Sequence, residues 1–334
     1  MDFALRFAVS LLPVVLFLLT LVSLDSYKLV PARGLILAIV IGAGIAVVCL
    51  SINDVLIQAL GVPRARFSRY GAPPIEEVAK TGLVLWLIAR GRIGFLVDAG
   101  IVGFAIGTGF ALIENTYYVH TLNTDNILVW MVRGLGTAVM HGGVTAIGAV
   151  VAKALFDRTG GKRLWFVPGY LLATILHSMF NHFVLSPVGE TILLHALMPP
   201  LIALVYWQSE RTTRRWLGAQ MDVDAELLEI IQSGQLSESR IGRFVKMMEK
   251  QFPPAVRVDM LCYLRLRVEL AISAKGLLMM REAGFKATPP EDTREKFAEL
   301  RHLEKSIGVT GLLAIKPLLH TSTRDIWQMY QLDW

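Results

Sequence analysis

Long apolar runs recur along the first two-thirds of this chain, and they limit what it can fold into. A helix rises about 1.5 Å per residue, so roughly 18 or more apolar residues are needed to cross a hydrocarbon core of about 30 Å. The third run is the shortest and begins with two glutamates. The pattern predicts about seven membrane spans, near residues 7–24, 35–60, 75–90, 98–120, 127–155, 164–185 and 190–208.

Charge divides the chain into two parts. Of its 334 residues, 54% are apolar and only 18% are charged, which is too apolar for a soluble domain of this size. Residues 1–208 hold 14 Lys plus Arg and 10 Asp plus Glu, whereas residues 209–334 hold 19 and 17. We therefore predict an all-α fold: a polytopic membrane helix bundle over residues 1–208 and a soluble helical C-terminal domain over residues 209–334.

The distribution of basic residues predicts an orientation. Lys and Arg in the short loops number eleven on one side of the predicted bundle and four on the other. Because cytosolic loops carry the excess of Lys and Arg, the N-terminus is expected outside and the C-terminal domain in the cytoplasm. The net charge of +6 suits anionic lipid headgroups, and no basic patch interleaved with aromatic residues indicates a nucleic-acid partner.

Ionisable and amide side chains inside the predicted spans are the candidate functional residues, because a charge there costs several kcal/mol on common scales. Lys80 follows two glutamates by one helical turn and can neutralise one of them. His177 and Asn181, at positions i and i+4, share a helix face and can address one atom together. The candidates form four clusters: Glu76 and Glu77 with Lys80; Glu114; Arg133 with His141; and His177 with Asn181.

Carboxylates, imidazoles and an amide, with no serine or cysteine nucleophile among them, suit hydrolysis by activated water. A divalent metal such as zinc could share this work, since histidine and carboxylate are ordinary zinc ligands. The chain has no H-E-x-x-H motif, so a metal site would have to be assembled from separate helices. The possible metal ligands are Glu77, Glu114, His141 and His177.

Four motifs in order resemble those of the PrsW family of intramembrane proteases, which is related to the C-a-a-X prenyl endopeptidase and bacteriocin-processing group. They are EEVAK, DAGIVGFAIGTGFALIENTYY, RGLGTAVMHGGVTAIG and LATILHSMFNH, within about residues 70–185. The resemblance implies a helical membrane peptidase that cuts a membrane-anchored protein near the bilayer surface, in a bacterial inner membrane. The related C-a-a-X group has an arginine after its paired glutamates, where this chain has Lys80.

The resemblance also implies roles for the matching positions. Glu76 and Glu77 would carry the base function, with the choice between them open. Glu114 and His141 would help to bind the water or a metal, and Arg133 would support them. His177 with Asn181 would stabilise the oxyanion.

Other readings of the same residues stay open at this point. Each cluster taken alone is equally compatible with a structural ion pair or an interhelical hydrogen bond. A proton- or ion-coupled transporter would use intramembrane Glu and His as proton relays. A seven-helix metal-dependent lipid or amide hydrolase would use similar residues, and a scaffold would need none of them. The C-terminal domain shows no catalytic constellation, so regulation, partner binding and self-association through it remain possible functions.

Overall fold

The structure is a computed structural model that describes residues 2–162, 164–233, 240–319 and 323–332. Helices and connecting turns account for these residues, with no strand among them, so the all-helical prediction is confirmed for this part of the chain. The chain divides into two compact units, Met1–Ser209 and Glu210–Trp334. The predicted membrane and soluble roles of the two parts stay predictions.

The first unit is built from helices that we number in chain order. They are α1 (Phe3–Leu24), α2 (Ala32–Leu60), α3 (Arg64–Tyr70), α4 (Ala72–Ala89), α5 (Leu96–Thr121), α6 (Ile127–Met131), α7 (Val139–Thr159), α8 (Val167–His182) and α9 (Pro187–Gln232). A π-helical segment, Val132–Ala138, joins α6 to α7. The unit boundary falls inside α9.

Helices occupy all seven positions at which the sequence predicts spans. Five helical runs in the described chain are long and apolar enough to cross a membrane: α1, α2, α5, Ile127–Thr159 and α9. The other two are α4, with 18 residues that include two glutamates and a lysine, and α8, with 16 residues. The finding supports an integral membrane protein, and the count of seven spans stays a prediction.

Helix α5 lies at the centre of the first unit, and most of its side chains are buried. Two of its glycines permit close contact with neighbouring backbones. A Cβ atom at Gly107 would lie 2.3 Å from the His141 carbonyl oxygen of α7, and one at Gly109 would lie 1.9 Å from the Ile39 carbonyl oxygen of α2. Small residues allow membrane helices to approach in this way. The backbone of α7 at His141 and Gly142 therefore packs directly against α5.

The second unit has its own helical core. Its helices are the end of α9 and α10 (Arg240–Met248), α11 (Pro254–Glu282), α12 (Thr293–Ile315) and α13 (Thr323–Tyr330). Leu266 and Leu270 of α11 pack with Leu303 and Ile307 of α12 in an apolar cluster, as expected for amphipathic helices of a bundle. Helix α12 is interrupted at Gly308, where φ is 68° and ψ is 172°.

The contact between α5 and α2 gives a first testable prediction. Replacing Gly109 by alanine forces the two helices apart, because the added Cβ overlaps the Ile39 carbonyl. Overpacking of this kind typically costs about 1–3 kcal/mol. We expect Gly109→Ala to lower the thermal unfolding temperature of the detergent-purified protein. The matched control is Gly44→Ala on α2, where no heavy atom lies within 4 Å of the added Cβ. Equal unfolding temperatures for the two variants would contradict the close contact.

Candidate active site

The two glutamates lie in the second turn of helix α4, which begins at Ala72. Pro73 and Pro74 occupy the start of the helix, where proline fits because the first N–H groups have no partner within the helix. Glu76 is only 6% exposed, and Glu77 and Lys80 are fully buried. Charged groups buried this deeply need compensating partners, and the surrounding helices supply them.

Both oxygens of Glu77 are engaged. Oε1 lies 2.5 Å from Lys80 Nζ and 2.8 Å from His177 Nδ1, and Oε2 accepts a hydrogen bond from the Thr145 hydroxyl at 3.3 Å. The structure thus pairs Lys80 with Glu77. Glu77 is a fixed anion that also sets the orientation of the His177 ring.

Lys80 determines which nitrogen of His141 carries the proton. Its Nζ lies 3.1 Å from His141 Nδ1 and 4.5 Å from the centre of the Phe110 ring. An ammonium group has donors only, so Nδ1 must accept and the proton of the neutral ring belongs on Nε2. Nε2 faces Glu114 Oε2 at 3.2 Å, which is an acceptor. The His141 ring is therefore held from both sides.

Glu114 is paired with Arg133. The Arg133 guanidinium donates to Glu114 Oε2 at 3.0 Å and to Asn115 Oδ1 at 3.0 Å, and it lies 3.7 Å from the centre of the Tyr118 ring. Asn115 also donates to the Arg133 carbonyl at 3.1 Å. Arg133 belongs to the π-helical segment, a kind of irregularity that is frequent at functional sites. The sequence analysis missed Asn115, although it directly follows Glu114.

Glu76 differs from Glu77 in having an oxygen available. Oε1 accepts a hydrogen bond from Asn53 Nδ2 at 3.1 Å. Oε2 is buried and has no hydrogen-bond partner among the described residues, and it lies 3.8 Å from His177 Nε2. Of the paired glutamates, Glu76 is therefore the one with a carboxylate oxygen free to act.

One group of side chains in the described chain has the composition and spacing to hold a metal ion. Glu76, His141 and His177 are all buried, and each offers one ligand atom within 4.8 Å of the others. Two imidazoles and a carboxylate form a common zinc set, and Glu76 Oε2 lacks another partner. Glu76 Oε2 and His177 Nε2 face each other and fit a divalent metal, whereas His141 would join them only by giving up its contact with Lys80 or with Glu114. The set shares both histidines with the expected ligands, but Glu76 takes the place of Glu77 and Glu114, which are engaged by basic side chains.

Asn181 lies in a different contact from the one expected. Its Nδ2 donates to the Ser68 carbonyl at 2.9 Å, and the neighbouring Ser178 hydroxyl donates to the Arg69 carbonyl at 2.6 Å. Both bonds join α8 to α3. Asn181 shares a helix with His177, but the hydrogen bond that the structure shows for it anchors α8 to another helix.

Two further polar groups contact the paired glutamates from other helices. Asn53 of α2 contacts Glu76, and Thr145 of α7 contacts Glu77. The signal for Asn53 is its position beside Asp54 and Gln58 where an apolar run ends, which indicates contact with lipid headgroups or with other helices.

Comparison with known protein families agrees with this geometry. A family model described as PrsW family intramembrane metalloprotease matches residues 30–206, which is more than half of the chain. The match includes every residue of the buried cluster and extends to Asn53, so the resemblance noted from the motifs is confirmed. Comparisons with curated proteins and with solved structures found no match. The chain belongs to the PrsW family of intramembrane metalloproteases.

Proposed function

We propose that this protein is an endopeptidase that hydrolyses a peptide bond of a membrane-anchored protein with water activated at Glu76. Family membership supports a membrane protease in general. The more specific proposal rests on one observation: Glu76 Oε2 is buried without a hydrogen-bond partner among the described residues, and it lies 3.8 Å from Nε2 of His177, whose Nδ1 is held by Glu77.

Glu76, His141 and His177 are the residues that would hold a divalent metal such as zinc. When bound, such an ion lowers the pKa of a water molecule and polarises the scissile carbonyl. The chain's own contribution is to fix the ligands. Glu77 holds Nδ1 of His177, and Glu114 holds Nε2 of His141. Partners of this kind set ring orientation and tautomer.

The proton transfers are assigned to Glu76. With no ion at Oε2, this oxygen accepts a proton from the water that attacks the carbonyl carbon, and it returns that proton to the leaving amine nitrogen as the peptide C–N bond breaks. With an ion bound, Oε2 would serve as a ligand instead of a base. Lys80 supplies a fixed positive charge within 3.1 Å of His141, which favours negative charge developing on the substrate carbonyl oxygen. Glu77 serves to orient rather than to act as base, and Asn181 has no part in this scheme.

The protein's position in the cell follows from the same proposal. We place it as a multi-pass protein of a bacterial inner membrane, with its N-terminus outside and the helical unit Glu210–Trp334 in the cytoplasm. The paired glutamates lie near the start of α4, and His177 lies in the second half of α8. In this orientation both lie towards the outer surface, where an extended segment of a membrane-anchored substrate is within reach. The cytoplasmic unit is then available for partner binding or self-association.

Removing the working carboxylate tests the catalytic proposal. Glu76→Gln keeps the shape and the contact with Asn53 but removes the basic oxygen, so cleavage of the substrate should fall to background. The measurement is quantitative membrane proteomics on cells carrying wild type or variant. A single-pass protein should accumulate uncut only with the variant. The control is Glu190→Gln, another buried glutamate at the start of α9. An unchanged set of cleavage products with Glu76→Gln would rule out this role.

Metal content provides a separate test. Purified wild-type protein should retain about one divalent ion per chain, as expected for a three-ligand catalytic site. His177→Ala should lose it, because that change removes a ligand, whereas His120→Ala should not, since His120 is exposed and bonds to the Thr116 carbonyl. Elemental analysis of protein purified without a metal-binding tag gives the stoichiometry. Equal metal content in wild type and His177→Ala would exclude this ligand set.

A further inference from the structure

Asn53 is a buried polar side chain in the second half of α2. It is 8% exposed, and it lies on α2, one helical turn after the buried Cys49. Burying an amide without hydrogen bonds costs roughly 1–3 kcal/mol on scales derived from protein mutations. Its presence there therefore requires a partner, and the structure shows which group that partner is.

The amide nitrogen of Asn53 faces Glu76. Nδ2 donates a hydrogen bond to Glu76 Oε1 at 3.1 Å. The other amide atom, Oδ1, is buried and has no hydrogen-bond partner among the described residues. One half of the Asn53 amide therefore restrains Glu76, and the other half is an acceptor beside the site.

This restraint determines which oxygen of Glu76 is left to act. With Oε1 held by Asn53, Oε2 is directed towards His177 Nε2, at 3.8 Å. Glu77 acts in the same way on the opposite side, since it holds Nδ1 of His177 at 2.8 Å and leaves Nε2 facing Glu76. The hydrogen bond from Asn53 to Glu76 Oε1 and the contact of Glu77 with His177 Nδ1 thus leave Glu76 Oε2 and His177 Nε2 facing each other.

We propose that Asn53 is a positioning residue of the hydrolytic site, which fixes the Glu76 carboxylate so that Oε2 points at the metal-binding and water-activating position. The inference rests on the proposed function and adds a fifth helix, α2, to the four that carry the sequence motifs. Outer-shell partners of metal ligands usually affect metal affinity or activity by about 10–100-fold when they are removed.

A purely structural role makes a different prediction. If Asn53 only joins α2 to α4, its loss should lower stability and leave metal affinity unchanged. If it orients Glu76, its loss should weaken metal binding in a protein that remains folded. The two roles therefore separate on metal affinity, which does not require a known substrate.

The test measures Zn²⁺ affinity of the full-length protein in detergent, by competition with a chromophoric chelator, together with thermal unfolding. Asn53→Leu removes the donor at similar side-chain size, and we expect Zn²⁺ binding about 10–100-fold weaker than wild type. Asn53→Ser, whose hydroxyl is too short to reach Oε1, carries the same expectation if the leucine variant does not fold. The matched controls are Gln58→Leu and Gln58→Ser, the same changes at an exposed amide of α2, which should bind Zn²⁺ as wild type does.

Glu76→Gln in the same assay distinguishes an error in the proposed ligand set from an error in the proposed role of Asn53. If it loses Zn²⁺ affinity while the folded Asn53 variants keep wild-type affinity, the positioning role is wrong and the proposed ligand set stands. If Glu76→Gln itself keeps wild-type affinity, the ligand set is wrong, and the positioning role falls with it. Loss of affinity in both Glu76→Gln and the folded Asn53 variants, but not in the Gln58 controls, supports the inference.

Discussion

The fully buried ion pair between Lys80 and Glu77 is the interaction on which the rest of the site depends. Removing one partner of such a pair leaves an uncompensated charge in an apolar surrounding, which typically costs about 3–5 kcal/mol. Besides compensating each other's charge, the two side chains of the pair orient two neighbouring histidine rings. The Lys80 ammonium fixes the tautomer of His141, and the Glu77 carboxylate fixes the ring of His177. One ion pair on α4 therefore orients an imidazole on each of two other helices.

Close helix packing makes this orientation precise. Because Gly107 and Gly109 bring α5 into backbone contact with α7 and α2, Glu114 at the far end of α5 stands within hydrogen-bonding distance of His141. The π-helical segment before α7 carries Arg133, which neutralises Glu114. Groups held in place before the substrate arrives do not have to reorganise during the reaction. Electrostatic stabilisation by such preorganised groups is usually the largest single contribution to catalysis.

The sequence was sufficient to find the helices of the first unit and to propose a site, because charges are rare within apolar runs and the candidate clusters belong to four ordered motifs. It could not separate the roles of Glu76 and Glu77, which have almost the same neighbours along the chain. Successive residues of a helix point about 100° apart, so Glu77 turns towards His177 and Glu76 turns towards Asn53. The spacing of His177 and Asn181 predicted a shared helix face, but it carried no information about the Ser68 carbonyl that Asn181 contacts. Contacts between distant segments, such as that of Asn53, leave no periodic signal.

The charge balance of the cluster bears on what it does. Glu77 is compensated by Lys80, and Glu114 by Arg133, so of these three glutamates Glu76 is the one for which the described residues show no ion pair with Lys or Arg. A bundle that needed only stability would gain nothing from an uncompensated carboxylate, since an apolar side chain of similar size would avoid its desolvation cost. A proton relay in a transporter would also use such a group. Membership of the PrsW family favours hydrolysis over such a relay. Glu76, His141 and His177 each offer a ligand atom within 4.8 Å of the others, which is compatible with a cation site. The lack of a Lys or Arg partner at Glu76 is therefore the electrostatic feature on which the proposed hydrolytic role is based.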